Sequence, residues 1–352
     1  MLLRALLLAG LANAAHLTDV LPQSLSQATL AGGEAVSAVS EQLLRHGFVL
    51  VRPSPEQLRA IDDIDAVASQ LFAQPVATKA HIEASMTFAD ASDQVALRRP
   101  ELQLSCTGLR LRPAACSAGY TGHRRQHHEQ FHVVMDPTAL DIMRWPSAGL
   151  PALRPAVEGA GDVLQELSEA LLRSIAPELH DLWTREISKR GDPSVLDLFH
   201  YGGCQRSNST CVQTKEGDCN HCDAVGMSEH VDPGIFTCKH MGAAQVDGLQ
   251  LLDRASGEWV DESSFRGHVV CFVDQLLADW CLANHRPPVT ATLHRVVPAG
   301  EAPRQSIVYE MRAPKIDVWR SPEQWSRAKR AEKKREAQAE RKRRRRREGS
   351  GS

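Results

Sequence analysis

The residues of this chain best suited to chemistry are His230 and Asp232, in Ser228-Glu229-His230-Val231-Asp232-Pro233-Gly234. In an extended segment, residues i and i+2 share a face. Both side chains can therefore reach one metal ion while Val231 turns away, and Pro233-Gly234 ends the segment behind them. A second histidine, His294 in Leu293-His294-Arg295-Val296, must come from a distant strand folded back beside the pair. Two imidazoles and one carboxylate are the donor set that holds Fe(II) on one face of an octahedron, leaving positions open for a bidentate keto acid and O2. Ten residues beyond His294 comes Arg304-Gln305-Ser306. The planar fork of an arginine pairs bidentately with a carboxylate, and in a strand the Ser306 hydroxyl shares its face. A lone His-x-Asp arises about once by chance in a chain with 15 histidines and 43 acidic residues. Its weight comes from the whole set in this order.

On these residues the chain resembles the isopenicillin N synthase-like branch of the 2-oxoglutarate/Fe(II) dioxygenases, over about residues 35 to 315. The resemblance runs from Val231-Asp232-Pro233-Gly234-Ile235-Phe236-Thr237 through Gly248-Leu249-Gln250-Leu251-Leu252 and Gly257-Glu258-Trp259-Val260 to Leu293-His294-Arg295-Val296-Val297 and Arg304-Gln305-Ser306. It implies Fe(II) held by His230, Asp232 and His294, with 2-oxoglutarate held by Arg304 and Ser306 and O2 as co-reactant. Tyr201, in Leu198-Phe199-His200-Tyr201-Gly202, stands where the family has an Asn-x-Tyr segment that also helps hold the keto acid. Here no asparagine precedes it. Val273-Asp274 replaces the family's Gly-Asp, and the stretch between Tyr201 and His230 is longer and cysteine-rich. The resemblance implies oxidation of a substrate C–H bond, hydroxylation by default, with release of succinate and CO2. An iron oxidase of the same family that uses no keto acid, and a non-catalytic jelly-roll interaction protein with a nucleic-acid-binding tail, are the alternatives.

The elements that must position these residues follow from the pattern of apolar side chains. Glu34 to Arg45 has helical spacing and leads into a strand, Phe48 to Val51; Pro55 to Leu71 is again helical. Pro151 to Lys189 repeats apolar residues with a 3.6-residue period and reads as one or two helices packed on a sheet. From Ser194 to Arg312 the pattern is short strands separated by turns. The expected fold is α+β but mainly β, a double-stranded β-helix (jelly roll) core with flanking N-terminal and central helices. Four stretches follow: a leader at 1–34, the N-terminal and helical part of the oxygenase fold at 35–193, the jelly-roll domain at 194–315, and a basic tail at 320–352.

With 352 residues and 42% hydrophobic content the chain can bury a full core. It contains no run of 18 apolar residues, so no transmembrane segment is expected. The net charge of −2 conceals an asymmetry. From Arg320 onward, 14 basic residues face 5 acidic ones, a net +9, whereas residues 1–319 carry 27 basic and 38 acidic, a net −11. Arg341 to Arg347 is an unbroken basic run, suited to nucleic acid or another acidic partner or to nuclear import; a solvated extension is the plainer reading. The partner expected at the iron site is a small-molecule substrate.

Nine cysteines, an odd number, exclude a complete intramolecular disulfide set. Cys204, Cys211, Cys219 and Cys222 cluster, and zinc, disulfides or free thiols are all open for them. Cys106, Cys116, Cys238, Cys271 and Cys281 are read as small buried hydrophobes. Residues 1–15 form a short apolar leader, either a secretory signal or an amphipathic helix. Asn208-Ser209-Thr210 is a sequon that would suit the secretory pathway, while the basic tail favours cytoplasm or nucleus. His123, His127, His128 and His132 suggest either a second metal or, more simply, pocket-lining and exposed histidines.

Overall fold

The computed structural model describes residues 25–26, 35–75, 79, 86–87, 117–123, 128–143, 145–146, 150–201, 227–240, 248–297 and 303–314. The clustered cysteines Cys204, Cys211, Cys219 and Cys222, the sequon, His127, Cys106, Cys116, the leader 1–15 and the basic tail 320–352 lie outside them.

In chain order the elements are β1 (Leu25–Ser26), α1 (Ala35–His46), β2 (Phe48–Arg52), α2 (Pro55–Ala73), β3 (Met86–Thr87), β4 (Ser117–His123) and β5 (His128–Val134). Then come α3 (Pro137–Ile142), α4 (Leu153–Ile175), α5 (Pro177–Arg190), β6 (Val195–Tyr201), β7 (Met227–His230), β8 (Phe236–His240), β9 (Leu249–Leu252) and β10 (Trp259–Asp261). A 3₁₀ turn (Glu262–Phe265), β11 (Val269–Val273), α6 (Gln275–Ala283), β12 (His294–Val296) and β13 (Arg304–Met311) complete the set. The helices fall where the sequence pattern places them, with two exceptions, the short α3, which the pattern does not mark, and α6. Helix α6 interrupts the run expected to hold only strands; its Leu276, Leu277, Trp280 and Cys281 are buried at helical spacing.

The strands form two sheets, one in the order β1-β2-β11-β8-β13-β6-β5-β4-β3 and one in the order β10-β9-β12-β7. All pairings are antiparallel except that of β1 with β2. Fold class is thus mixed helix and antiparallel sheet. The larger sheet joins strands from both sides of residue 194: β2 pairs with β11 and β5 with β6. Leu25–Ser26, inside the stretch read as a leader, adds to its edge.

Helix α2 begins with a capping box, in which Ser54 accepts from the Gln57 N–H while Gln57 accepts from the Ser54 N–H. Its buried stripe, with that of α4 (Leu153, Val157, Ala160, Leu164, Leu167, Leu171), covers one face of the larger sheet. The other face carries a second, smaller apolar cluster, in which Phe48, Leu50, Val270 and Phe272 pack against Leu249, Leu251 and Val260 of the smaller sheet, with polar side chains beside it. In β8 the alternation is plain: Phe236 and Cys238 join the main core, while Thr237 and Lys239 point to the opposite side.

One expectation is corrected. Cys238 and Cys271 are not separate small hydrophobes but a disulfide, 33 residues apart in sequence. They are directly opposed on the antiparallel neighbours β8 and β11, with Cα atoms 4.1 Å apart. That proximity comes from strand register, which spacing along the chain does not reveal. Cys281 is buried and free. No helix among the described residues is long and apolar enough to cross a membrane.

Candidate metal and keto-acid site

The structure brings His230, Asp232 and His294 together. One ligand atom from each lies within 4.8 Å of the others, and this is the one such group among the described residues. His230 ends β7 and His294 begins β12, and the two are paired directly in the smaller sheet. Asp232 follows in the turn. His230 Nε2 is 3.6 Å from Asp232 Oδ1, and His294 Nε2 is 3.5 Å from Asp232 Oδ2.

The other nitrogen of each ring explains why Nε2 is the one presented. His230 Nδ1 donates to the Ser228 carbonyl at 2.7 Å and His294 Nδ1 to the Thr292 carbonyl at 3.2 Å. A carbonyl can only accept, so the proton of each neutral ring sits on Nδ1 and Nε2 keeps its lone pair. Burial, then the neighbouring His230, lowers the pKa of His294 against the pull of Asp232, favouring the neutral ring that a metal needs. Thr292 is itself fixed: its hydroxyl donates to the Gly47 carbonyl at 2.7 Å and its N–H to that of Val273 at 2.8 Å.

Asp232 is held from behind by α6. The Gln275 and Leu276 N–H groups, in the first turn of that helix, donate to the Asp232 and Gly234 carbonyls, both at 2.9 Å. Gly234 must lack a side chain, because a Cβ there would stand 2.7 Å from both Asp274 Oδ2 and the Met311 carbonyl. The Thr237 hydroxyl lies 2.8 Å from Asp232 Oδ2 and 3.1 Å from Asp274 Oδ2. It has one proton to give. Burial, then the nearby Asp232 and Glu310, raise the pKa of Asp274 well above the usual carboxylate value.

The same cavity, about 190 Å³, is lined by the His–Asp–His group and by Arg304, Ser306 and Tyr201. Arg304 and Ser306 project from one face of β13 and are 3% and 2% exposed. The Arg304 guanidinium lies 4.6 Å from the centre of the Tyr201 ring, a cation–π contact. A Cβ on Gly248 would come within 1.9 Å of the Arg304 guanidinium, so only glycine leaves room for it. Phe199, Leu249, Phe272, Val296 and Val308 supply an apolar lining, and Asp197 a charged one. Asp197 accepts from His132 Nδ1 at 2.6 Å and from the Gln130 amide at 2.7 Å. Burial raises its pKa, but His132, the Gln130 amide and Arg312 together outweigh that and lower it from the usual value. His132 is thus occupied as a partner of Asp197; His123 and His128 stand opposite each other on β4 and β5.

The sequence reading missed Thr237, Lys239, Gly248, Glu262 and Asp197. A signal existed for the first two: in Phe236-Thr237-Cys238-Lys239 polar and apolar residues alternate, the mark of a strand with one polar face turned inward.

No family model matches the chain, and no curated protein matches it. Solved structures do. A Caulobacter crescentus protein carrying the family name 2OG-Fe(II) oxygenase aligns with a TM-score of 0.57 at 20% identity, over 83% of this chain and 86% of that one. A full-length Neurospora crassa protein, solved in complex with alpha-KG, gives 0.57 at 19%, over 84% and 86%. The rice dioxygenase for auxin oxidation gives 0.58 at 18%, over 87% of each chain. At this identity the likeness establishes a shared fold. The architecture of this chain is that of the 2OG-Fe(II) oxygenases.

Proposed function

We propose that this chain is an Fe(II)- and 2-oxoglutarate-dependent dioxygenase that oxidises a C–H bond of a small molecule, hydroxylation being the default outcome. One observation carries the reading. Two imidazoles with Nδ1 tied to backbone carbonyls, and one carboxylate, open onto the same cavity as a buried arginine and serine. The donor set suits Fe(II), and the glycine-cleared arginine suits the far carboxylate of a keto acid. The two sheets flanking this cavity correspond in the proposal to the halves of a double-stranded β-helix.

His230, Asp232 and His294 would hold the metal, Arg304 and Ser306 the far carboxylate, and Tyr201 would steady the guanidinium through its ring face. Bound there, Fe(II) and 2-oxoglutarate would supply O2-dependent oxidation of a C–H bond coupled to decarboxylation of the keto acid to succinate and CO2. The protein's share is positional. Thr237 orients Asp232, Thr292 orients His294, and Phe199, Phe272, Leu249 and Val296 keep water from the reacting centre.

Succinate release from iron-loaded protein tests the reading. His230→Ala should abolish release together with iron binding, whereas His285→Asn, on an exposed turn after α6, should leave both intact. Iron retained without any succinate from the unaltered chain, across a broad panel of small molecules, would favour the oxidase that uses no keto acid.

A further inference from the structure

Lys239 is a residue that the metal and keto-acid reading above does not use, and its position is unusual. It sits on a central strand with only 2% of its surface exposed, yet it lines the cavity. Burying an ammonium group is costly unless it is paired. Its partner is Glu262, which is 1% exposed, belongs to the 3₁₀ turn after β10, and does not line the cavity. Glu262 Oε2 in turn accepts from the Leu249 N–H at 2.9 Å and lies 3.8 Å from the Arg304 guanidinium. One backbone-anchored carboxylate therefore ties together two cations from different strands.

Strand register brings those cations to one place. Lys239 on β8 is directly opposite Val308 on β13, and Val308, Ser306 and Arg304 succeed one another on the same face. The lysine stem meets Arg304 at Glu262, while both cations border the cavity that Glu262 stands behind. Arginine supplies a directional fork and lysine a compact charge.

We propose that Lys239 is a second anchor for the far carboxylate of the keto acid, with Glu262 the positioning residue that sets it beside Arg304. This rests on the dioxygenase reading above. A salt bridge that merely neutralises Glu262 would look the same in the structure, so the test must separate the two roles.

Binding is read by calorimetry on the full chain loaded with redox-inert Mn(II), using two ligands. 2-Oxoglutarate has the far carboxylate and 2-oxobutyrate lacks it. Lys239→Met should weaken 2-oxoglutarate about 10-fold or more and leave 2-oxobutyrate unchanged. The double variant Lys239→Met/Glu262→Gln leaves no unpaired buried carboxylate, with thermal melting as the check that it is folded, and it should stay equally weak for 2-oxoglutarate. Wild-type affinity in the double variant would overturn the proposal, leaving Lys239 as the counter-ion of Glu262 alone. Undiminished 2-oxoglutarate binding in a folded Lys239→Met protein would overturn it too, as would equal affinity of the unaltered chain for both ligands. If the unaltered, Mn(II)-loaded chain binds neither keto acid, the dioxygenase reading itself falls, and this inference with it.

Discussion

A histidine can bind a metal only through a nitrogen that carries no proton, and at this site the choice is made by main-chain oxygens. Ser228 and Thr292 each accept from an Nδ1 and thereby present an Nε2. The proposed carboxylate ligand is oriented by a side chain instead, the Thr237 hydroxyl on Asp232 Oδ2. Removing that hydroxyl without changing shape isolates its contribution. Thr237→Val should weaken metal binding by roughly 10- to 100-fold, the usual cost of losing an outer hydrogen bond to a ligand. Competition against a metal-sensitive dye measures it, with thermal melting as the control that the fold is retained. An affinity within a factor of about two of the unaltered protein would mean that the α6 backbone bonds suffice to hold Asp232.

At the scale of elements, the strands are held by more than their ladders. The disulfide between Cys238 and Cys271 joins β8, which carries Thr237 and Lys239, to β11, which carries Phe272 against the His294 ring at 4.8 Å. Closing a loop of 33 residues should contribute about 3–4 kcal/mol by restricting the unfolded chain. Cys238→Ala/Cys271→Ala should lower stability by about that amount in urea, and a reductant should shift the unaltered protein the same way. No change under strong reductant with Cys238 alkylated after unfolding would rule the contribution out. The elements also mark the limit of what the sequence discloses. The His230, Asp232 and His294 grouping was legible because metal chemistry restricts donor types and spacing, and α2 and α4 because their apolar stripes repeat every 3.6 residues. The α6 helix was not, since its short apolar run, Gln275-Leu276-Leu277-Ala278-Asp279-Trp280-Cys281, fits a buried strand equally well. Nor were the disulfide, the Glu262 bridge and the Asp197–His132 pair. Each joins residues brought together only by register or by sheet closure, and neither is encoded as local spacing.

For the whole molecule, burial sets an acid limit. His240 is 4% exposed, and burial, followed by Lys239 and His268, lowers its pKa from 6.5 to about 4. Between those values the unfolded chain binds a proton that the folded chain refuses, so stability is full above pH 6.5 and declines as pH falls toward 4. The loss amounts to on the order of 3 kcal/mol. Denaturant melts from pH 7 to 4 should therefore show a shallower decline in His240→Gln than in the unaltered chain; parallel curves would remove His240 as the cause. Sheet order has a consequence of another kind. Strand β2 lies between β1 and β11, and His46 is bonded to Asp253 across 207 positions, while β13 fits between β8 and β6. During synthesis the apolar stripes of α2 and α4 emerge long before the strands that cover them. Closure of the larger sheet must wait until β13 has left the ribosome, so the pairings that cover those stripes form last.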